Sequence, residues 1–273
     1  MPLVSDRCIC LRKHEYSETS QILTLFSRER GIFRVMAKGA HRRTKAGAGK
    51  FDGGIDLMDA GHAVFSDDPG RDLGLLTDWK LQEGHLGLRN RLRPLYLAIY
   101  AVELIGLLLE EHDPHPELFD LLEQLLGDLQ TAKVEEAFLA FELDLLRASG
   151  FTPELAACGN CGGSLRDRDV AYYSAARGGV ICQDCHAAFA DRLELDIRLL
   201  RLMRLIQASP GTLANRRLPR LTRHQTDPIN HLLLQHLEHA LGRRPRAAYY
   251  ILSRRNGGRQ ASKLACNPAG QGA

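Results

Sequence analysis

No apolar run in this 273-residue chain is long enough to cross a bilayer: the longest, 95–109, is interrupted by Glu103 and falls short of the roughly 20 residues a spanning helix needs. Residues 1–10 hold neither a basic region nor an apolar core of the secretory kind, so no export signal is expected. Hydrolytic zinc motifs are missing too. His14-Glu15 is followed by Tyr16, Ser17 and Glu18, which excludes H-E-x-x-H. His236-Leu237-Glu238 falls after the cysteines and Ala157 stands where a proline is required, which excludes a nucleobase deaminase. A compact Asp/Glu cluster with lysine support, needed by a metal-dependent nuclease, is also absent. Cysteine is scarce, seven in all, and Cys8, Cys10 and Cys266 show no framework spacing. A reducing cytoplasm fits this usage, with Cys8 and Cys10 as strand residues.

The other four cysteines are organised. Cys158, Cys161, Cys182 and Cys185 form two C-x-x-C pairs separated by 20 residues, with Gly159, Gly162, Gly163, Gly178 and Gly179 supporting the turns. This spacing points to one tetrahedral zinc ion held by four thiolates. A closed sulfur shell leaves no position for a reactive water, so the metal is expected to brace the fold rather than react. His186, next to Cys185, reads as a neighbouring polar residue.

Formal net charge is only +3, yet the charge is segregated along the chain. Residues 28–50 carry eight Lys/Arg against Glu29, residues 103–144 carry twelve Asp/Glu against Lys133, and residues 191–273 carry fifteen Lys/Arg against five acids. The basic parts call for a polyanion, and the acidic helices read as solvated faces or as a dock for a basic protein.

Periodicity divides the chain in two. Runs 8–11, 20–27, 32–37, 55–58 and 63–66, with a further possibility at 73–77, predict five or six strands without intervening helices, and a small OB-fold barrel is the economical architecture. From Leu81 onward the spacing is helical: 94–109, a stripe of Leu118, Leu121, Leu122, Leu125 and Leu126, then 134–148 closed by Ser149-Gly150, a helix over 193–207, and another starting at Thr226-Asp227-Pro228. The fold class is therefore α+β multidomain: an N-terminal OB-fold, and an α-helical C-terminal domain carrying a four-cysteine zinc module. The expected divisions are 1–80 for the barrel, 81–150 and 191–255 for the two helical parts, 151–190 for the zinc module and 256–273 for a frayed tail. His231, His236 and His239 share a helix without consistent metal spacing and are expected at exposed positions.

Between barrel strands lies a glycine-rich cationic segment, 38–54. Its cations neutralise phosphates and its glycines let the backbone follow an irregular strand, so nucleic acid is the partner it suits. Tyr16, Phe26 and Phe33 are candidate stacking platforms, of which Phe26 and Phe33 are expected in the core.

These residues, in order, resemble a known family. Tyr16-x-Glu18-x-Ser20, Phe26, Gly31, Ala37-Lys38-Gly39-Ala40-x-Arg42-Arg43-x-Lys45, Phe141-Glu142-Leu143, Gly150-Phe151-x-Pro153 and the four cysteines together look like RecO, the bacterial recombination mediators. The resemblance covers most of 6–186 and persists weakly over 233–246. It implies a non-enzymatic, cytoplasmic, nucleoid-associated DNA repair protein that binds single- and double-stranded DNA and anneals complementary strands. It further implies that RecR is a partner in loading RecA onto DNA coated by single-strand binding protein. Carried over residue by residue, it places DNA contacts at Lys38, Arg42, Arg43 and Lys45, and metal ligands at Cys158, Cys161, Cys182 and Cys185. Arg34 is added from its place on the strand leading into the basic segment. Ala46-Gly47-Ala48-Gly49 and Arg246-Ala247-Ala248-Tyr249 depart from the family pattern, and Arg243, Arg244, Arg254 and Arg255 either extend the DNA surface or cap a helix. A second reading of the chain is a zinc-stabilised scaffold whose acidic helices dock a basic partner.

Overall fold

The computed structural model describes residues 3–42, 51, 53–66, 72–131, 133–165, 170–208 and 218–252. Five strands, β1 (Leu3–Ser17), β2 (Ser20–Ser27), β3 (Gly31–Ala37), β4 (Ala60–Ser66) and β5 (Gly74–Glu83), close into an OB-like barrel in the order β1-β2-β3-β5-β4. β1 is long enough to pair with β2 along one stretch and β4 along another, and a register shift between Cys10 and Arg12 lets it bend. Closure comes from a three-residue parallel pairing of β3 with β5, from Val35–Gly74 to Ala37–Leu76. Alternation then sorts the side chains: Cys8, Cys10, Leu23, Leu25, Phe33 and Val35 fill the barrel, while Ile9, Leu11, Phe26 and Ile32 join a second core shared with helices. Phe26 and Phe33 are both buried, whereas Tyr16 is exposed.

Residues 55–58, expected as a strand, form a turn instead. Ile55 and Met58 are apolar because they are buried at the barrel, not because they alternate in a sheet. Ile55 satisfies its backbone on the Gln21 side chain rather than on a neighbouring strand.

The remaining elements are α1 (Leu92–Leu108), α2 (Pro116–Asp128), α3 (Val134–Ala148), the short strands β6 (Val170–Ser174), β7 (Gly179–Ile181) and β8 (Leu193–Asp196), then α4 (Ile197–Ala208), α5 (Arg223–Leu241) and α6 (Ala248–Ile251). Strands β7-β6-β8 form a small antiparallel sheet. Residues 193–196, expected to open a helix, are therefore strand β8, paired with β6 before the chain turns into α4. The start of α5 is also corrected: Thr222 and Gln225 make a reciprocal cap, and Pro228 lies inside the helix. Thr226 is buried and donates to Glu135, which Arg93 holds at 2.8 Å, so it ties α5 to α3 rather than capping a helix.

His236 is another correction. It is buried, with Nε2 2.7 Å from the Phe151 carbonyl and Nδ1 2.8 Å from the Tyr173 hydroxyl. Nε2 donates to the carbonyl and Nδ1 accepts from the phenol, and burial pushes its pKa down, which keeps the ring neutral.

The barrel docks on the helices through backbone and charge. Ile32 bridges Glu111, the His112 N–H donates to the Ile32 carbonyl at 2.8 Å, and the Phe26 and Phe119 rings lie 5.5 Å apart. Arg28 grips both Asp120 oxygens, at 2.9 and 2.8 Å, and Arg7 reaches Glu123 at 2.6 Å. The acidic helices are thus not simply solvated faces: part of their charge answers arginines of the barrel, and Glu136 and Glu142 are buried.

Burial pushes the Glu142 carboxyl up to about 8, beside a Tyr100 hydroxyl that is equally buried. Because the folded pKa exceeds the unfolded one, the native state binds the extra proton, and stability falls as pH rises from the ordinary carboxylate range to about 8. We expect Glu142→Gln to flatten this slope, worth at most about 1.4 kcal/mol per pH unit, in urea titrations across that window. An unchanged slope would place the titration elsewhere.

Candidate metal centre and nucleic-acid interface

The two cysteine pairs converge. Their four sulfurs lie within 4.8 Å of one another, and Cys161 Sγ is 3.9 Å from Cys182 Sγ. Tetrahedral zinc with bonds of about 2.3 Å requires sulfurs about 3.8 Å apart, whereas a disulfide requires about 2 Å, so the donor set fits one metal ion. Each pair is a tight knuckle: the Gly162 N–H donates to the Cys158 carbonyl at 2.8 Å, and the Cys185 N–H to the Cys182 carbonyl at 3.1 Å. Burial alone pushes the Cys158 thiol up, but the N–H groups of Cys161, Cys182 and Asn160 outweigh it and bring it down to about 6, favouring the thiolate a metal needs. The Asn160 amide also donates to Cys185 Sγ at 3.3 Å. His186 is not in the cluster; its ring stacks on Tyr172 with centroids 4.3 Å apart.

The basic surface lies on the barrel. Arg34 is exposed on β3, where its cross-strand partner on β2 is Thr24, and Thr24 in turn pairs with Arg12 on β1. With strands about 4.8 Å apart, the row Arg12-Thr24-Arg34 sets two guanidinium-bearing positions about 10 Å from each other. Lys38 and Arg42 are exposed in the turn that follows β3. That turn is firmly built: Ala40 is buried, Gly39 takes φ 73°, the Arg42 N–H donates to the Gly39 carbonyl at 3.0 Å and the His41 N–H to the Thr19 carbonyl at 3.3 Å. Arg43 and Lys45 lie outside the described residues, as do 46–50, Arg254, Arg255 and the segment 256–273.

Sequence reasoning missed Arg12 and Arg246. With Arg34, His14 and Tyr250 they line a groove of about 800 Å³ between the barrel and α1, which Glu103 also borders. Arg12 stands beside Lys13 and Arg246 follows Arg243 and Arg244, but only the register of β1 and the return of the chain after α5 bring the two together here. Arg12, Arg34, Lys38 and Arg42 make no ion pair with a described residue, unlike Arg28, which is spent on α2, and Lys13, which Asp56 holds at 2.8 Å. Arg244 pairs with Glu238 at 3.2 Å.

No helix among the described residues is long and apolar enough to cross a membrane. Comparison with known families finds two matches that between them span most of the chain: "Recombination protein O N terminal" over residues 1–85 and "Recombination protein O C terminal" over 89–248. Among curated proteins, the chain is 34% identical over 204 residues to the DNA repair protein RecO of Rhodopirellula baltica, covering 74% of each chain. It is 34% identical over 244 residues to the DNA repair protein RecO of Anaeromyxobacter dehalogenans, covering 89% of this chain and 93% of the other. The RecO of Myxococcus xanthus is 29% identical over 213 residues. A barrel followed by helices with a four-cysteine cluster, matched over residues 1–85 and 89–248 by both halves of one family, makes this chain a member of the RecO family of DNA repair proteins.

Proposed function

We propose that this chain is a non-enzymatic recombination mediator that binds single- and double-stranded DNA through its barrel, anneals complementary strands, and works with RecR to load RecA on DNA coated by single-strand binding protein. The observation that carries the DNA contact is the set of exposed cations without an ion pair among the described residues on one small barrel: Arg12 and Arg34 in one row across β1, β2 and β3, and Lys38 and Arg42 on the turn that ends β3. Arg43 and Lys45 extend the same segment in sequence. Cations so placed meet successive phosphates along a groove that Tyr250, stacked on Tyr96, also lines. We assign zinc to the four cysteines, as a structural ion, and place the protein in the cytoplasm with the nucleoid. The chain divides, in this reading, into a barrel whose last strand carries the expected boundary at 80 on to Glu83, helical parts up to 150 and from Ile197 to 255, and a zinc module from 151 whose sheet extends past 190 to Asp196.

Lys38→Glu with Arg42→Glu is expected to weaken binding to a labelled single-stranded oligonucleotide by at least about tenfold. It should also reduce the salt slope by about 0.7 for each phosphate that the variant no longer neutralises. Gel-shift titrations at two salt concentrations measure both, and wild-type affinity in that variant would remove the DNA contacts from this turn. The scaffold reading is less favoured, because Asp120, Glu123 and Glu135 are engaged within the chain. It predicts no strand annealing in the absence of nucleotide.

A further inference from the structure

The turn that carries Lys38 and Arg42 is tied to the barrel by a histidine. His41 reaches two acceptors on different segments: Nε2 lies 2.8 Å from Glu15 Oε2 on β1, and Nδ1 lies 2.8 Å from the Gly53 carbonyl. A neutral imidazole has a single N–H, while an ionised carboxylate and a carbonyl only accept, so the two contacts together call for the imidazolium. The other Glu15 oxygen accepts from Gln21 Nε2 at 3.0 Å, and the buried Gln21 in turn accepts from the Ile55 N–H at 2.9 Å. One network therefore joins β1, β2, the turn after β3 and the chain returning toward β4. The approach is close enough to demand glycine at position 54, where φ is 116° and a Cβ would sit 2.6 Å from the His41 ring.

The charged groups facing the imidazole are Glu15 and Lys13, both on β1, and Lys13 is itself held by Asp56. The Glu15 hydrogen bond, followed by the Gly53 carbonyl, holds the His41 pKa above its ordinary value, and the same bond holds the Glu15 carboxyl below its own. We propose that His41 and Glu15 are positioning residues for the nucleic-acid contact, a protonated latch that fixes the Lys38–Arg42 turn against the barrel and loosens it when the imidazole becomes neutral. This rests on Lys38 and Arg42 being DNA contacts. The sign follows from a raised histidine: the latch is complete below the ordinary value of about 6.5 and is lost as pH rises through the raised one.

Two readouts test it: affinity for a labelled single-stranded oligonucleotide by anisotropy at fixed salt, and the rate of tryptic cleavage at Lys38 and Arg42, each from about pH 6 to about pH 9. The wild-type chain is expected to lose about three- to fivefold in affinity across that range while cleavage accelerates. His41→Gln should be weaker at the acid end and nearly flat with pH. Glu15→Gln is decisive, because it removes a negative charge beside a cationic turn. Charge alone would make that variant bind a polyanion more tightly, whereas the latch makes it bind about threefold more weakly and cleave faster. Tighter binding by Glu15→Gln, or unchanged cleavage in both variants, overturns the latch. Faster cleavage with unchanged affinity overturns its positioning role. The Lys38→Glu/Arg42→Glu variant separates the two failures: if it binds weakly while the latch variants bind normally, only the latch falls, and if it binds normally the DNA reading of the turn falls with it.

Discussion

Cys158→Ser is expected to abolish metal binding at the four-cysteine cluster and to loosen the two knuckles and the β6–β7 hairpin, while the barrel stays folded. Cys158 is the buried member of the four, 2% exposed, and it anchors the Cys182 N–H at 3.3 Å across the two pairs. β7 has only three residues, paired with β6 and bonded on its other side to Glu154 and Gly159, so a metal held by the four sulfurs would be the tie that joins the two knuckles to each other. Structural zinc contributes on the order of 10 kcal/mol of apparent binding energy in small metal-folded domains, and losing one of four thiolates removes several of those. The barrel has a separate core, from Cys8 to Trp79, that does not include the cysteine cluster. Metal content by mass spectrometry and hydrogen exchange by peptide measure the two halves of this prediction. One metal ion per chain in the variant, or protection lost evenly across the barrel as well, would contradict it. Chelation of the wild-type protein should reproduce the variant's exchange pattern.

Gly31→Ala is expected to destabilise the chain by about 3 kcal/mol or more, by prising the barrel from the helices. Gly31 takes φ 70°, and a Cβ there would lie 2.2 Å from the Asp113 carbonyl oxygen and 2.8 Å from its nitrogen. Both neighbours are backbone atoms, which do not rotate aside. Relief requires moving the 111–113 segment, and with it the His112 to Ile32 hydrogen bond and the Arg28–Asp120 pair nearby. Gly150→Ala is the natural comparison, since φ is 81° there with nothing within 4 Å, so it carries the backbone strain without the clash. That variant should lose only about 1 kcal/mol. Urea unfolding of the two variants separates the contributions, and equal losses would show that the junction yields without cost.

Much of the architecture is legible in the sequence. Strands 20–27 and 32–37 are legible as apolar β runs because one face fills the barrel and, at the β2–β3 turn, the other packs on the helices, and the stripe from Leu118 to Leu126 recurs at helical spacing because one face of α2 packs inward. The departures have a shared cause. Residues 55–58 are apolar enough for a strand, yet the Gln21 side chain answers the Ile55 backbone, the Asp59 and Asp56 carboxylates accept from the next two N–H groups, and only Met58 bonds to β1. Residues 193–196 continue into a helix without a break in composition, and only pairing with β6 makes them a strand. Pro228 reads as a helix start, but Thr222 and Gln225 cap the chain a turn earlier. His236 reads as exposed because nothing adjacent in sequence announces Tyr173 or the Phe151 carbonyl.

By itself the sequence determined the four-cysteine cluster, the family and the position of the basic segment, because each is written in residue types at short, fixed spacing. Four thiols in two knuckles need only local turns to become a site. Tertiary structure alone decided which cations remain free: Arg28 falls within the basic run but is consumed by Asp120, while Arg12 lies outside it and joins Arg34 through strand register. It alone also set Glu15, Gly53 and His41 within hydrogen-bonding reach. Such partners are 12 to 92 residues apart along the chain, and local propensity carries no information about which distant groups a closed barrel will bring together.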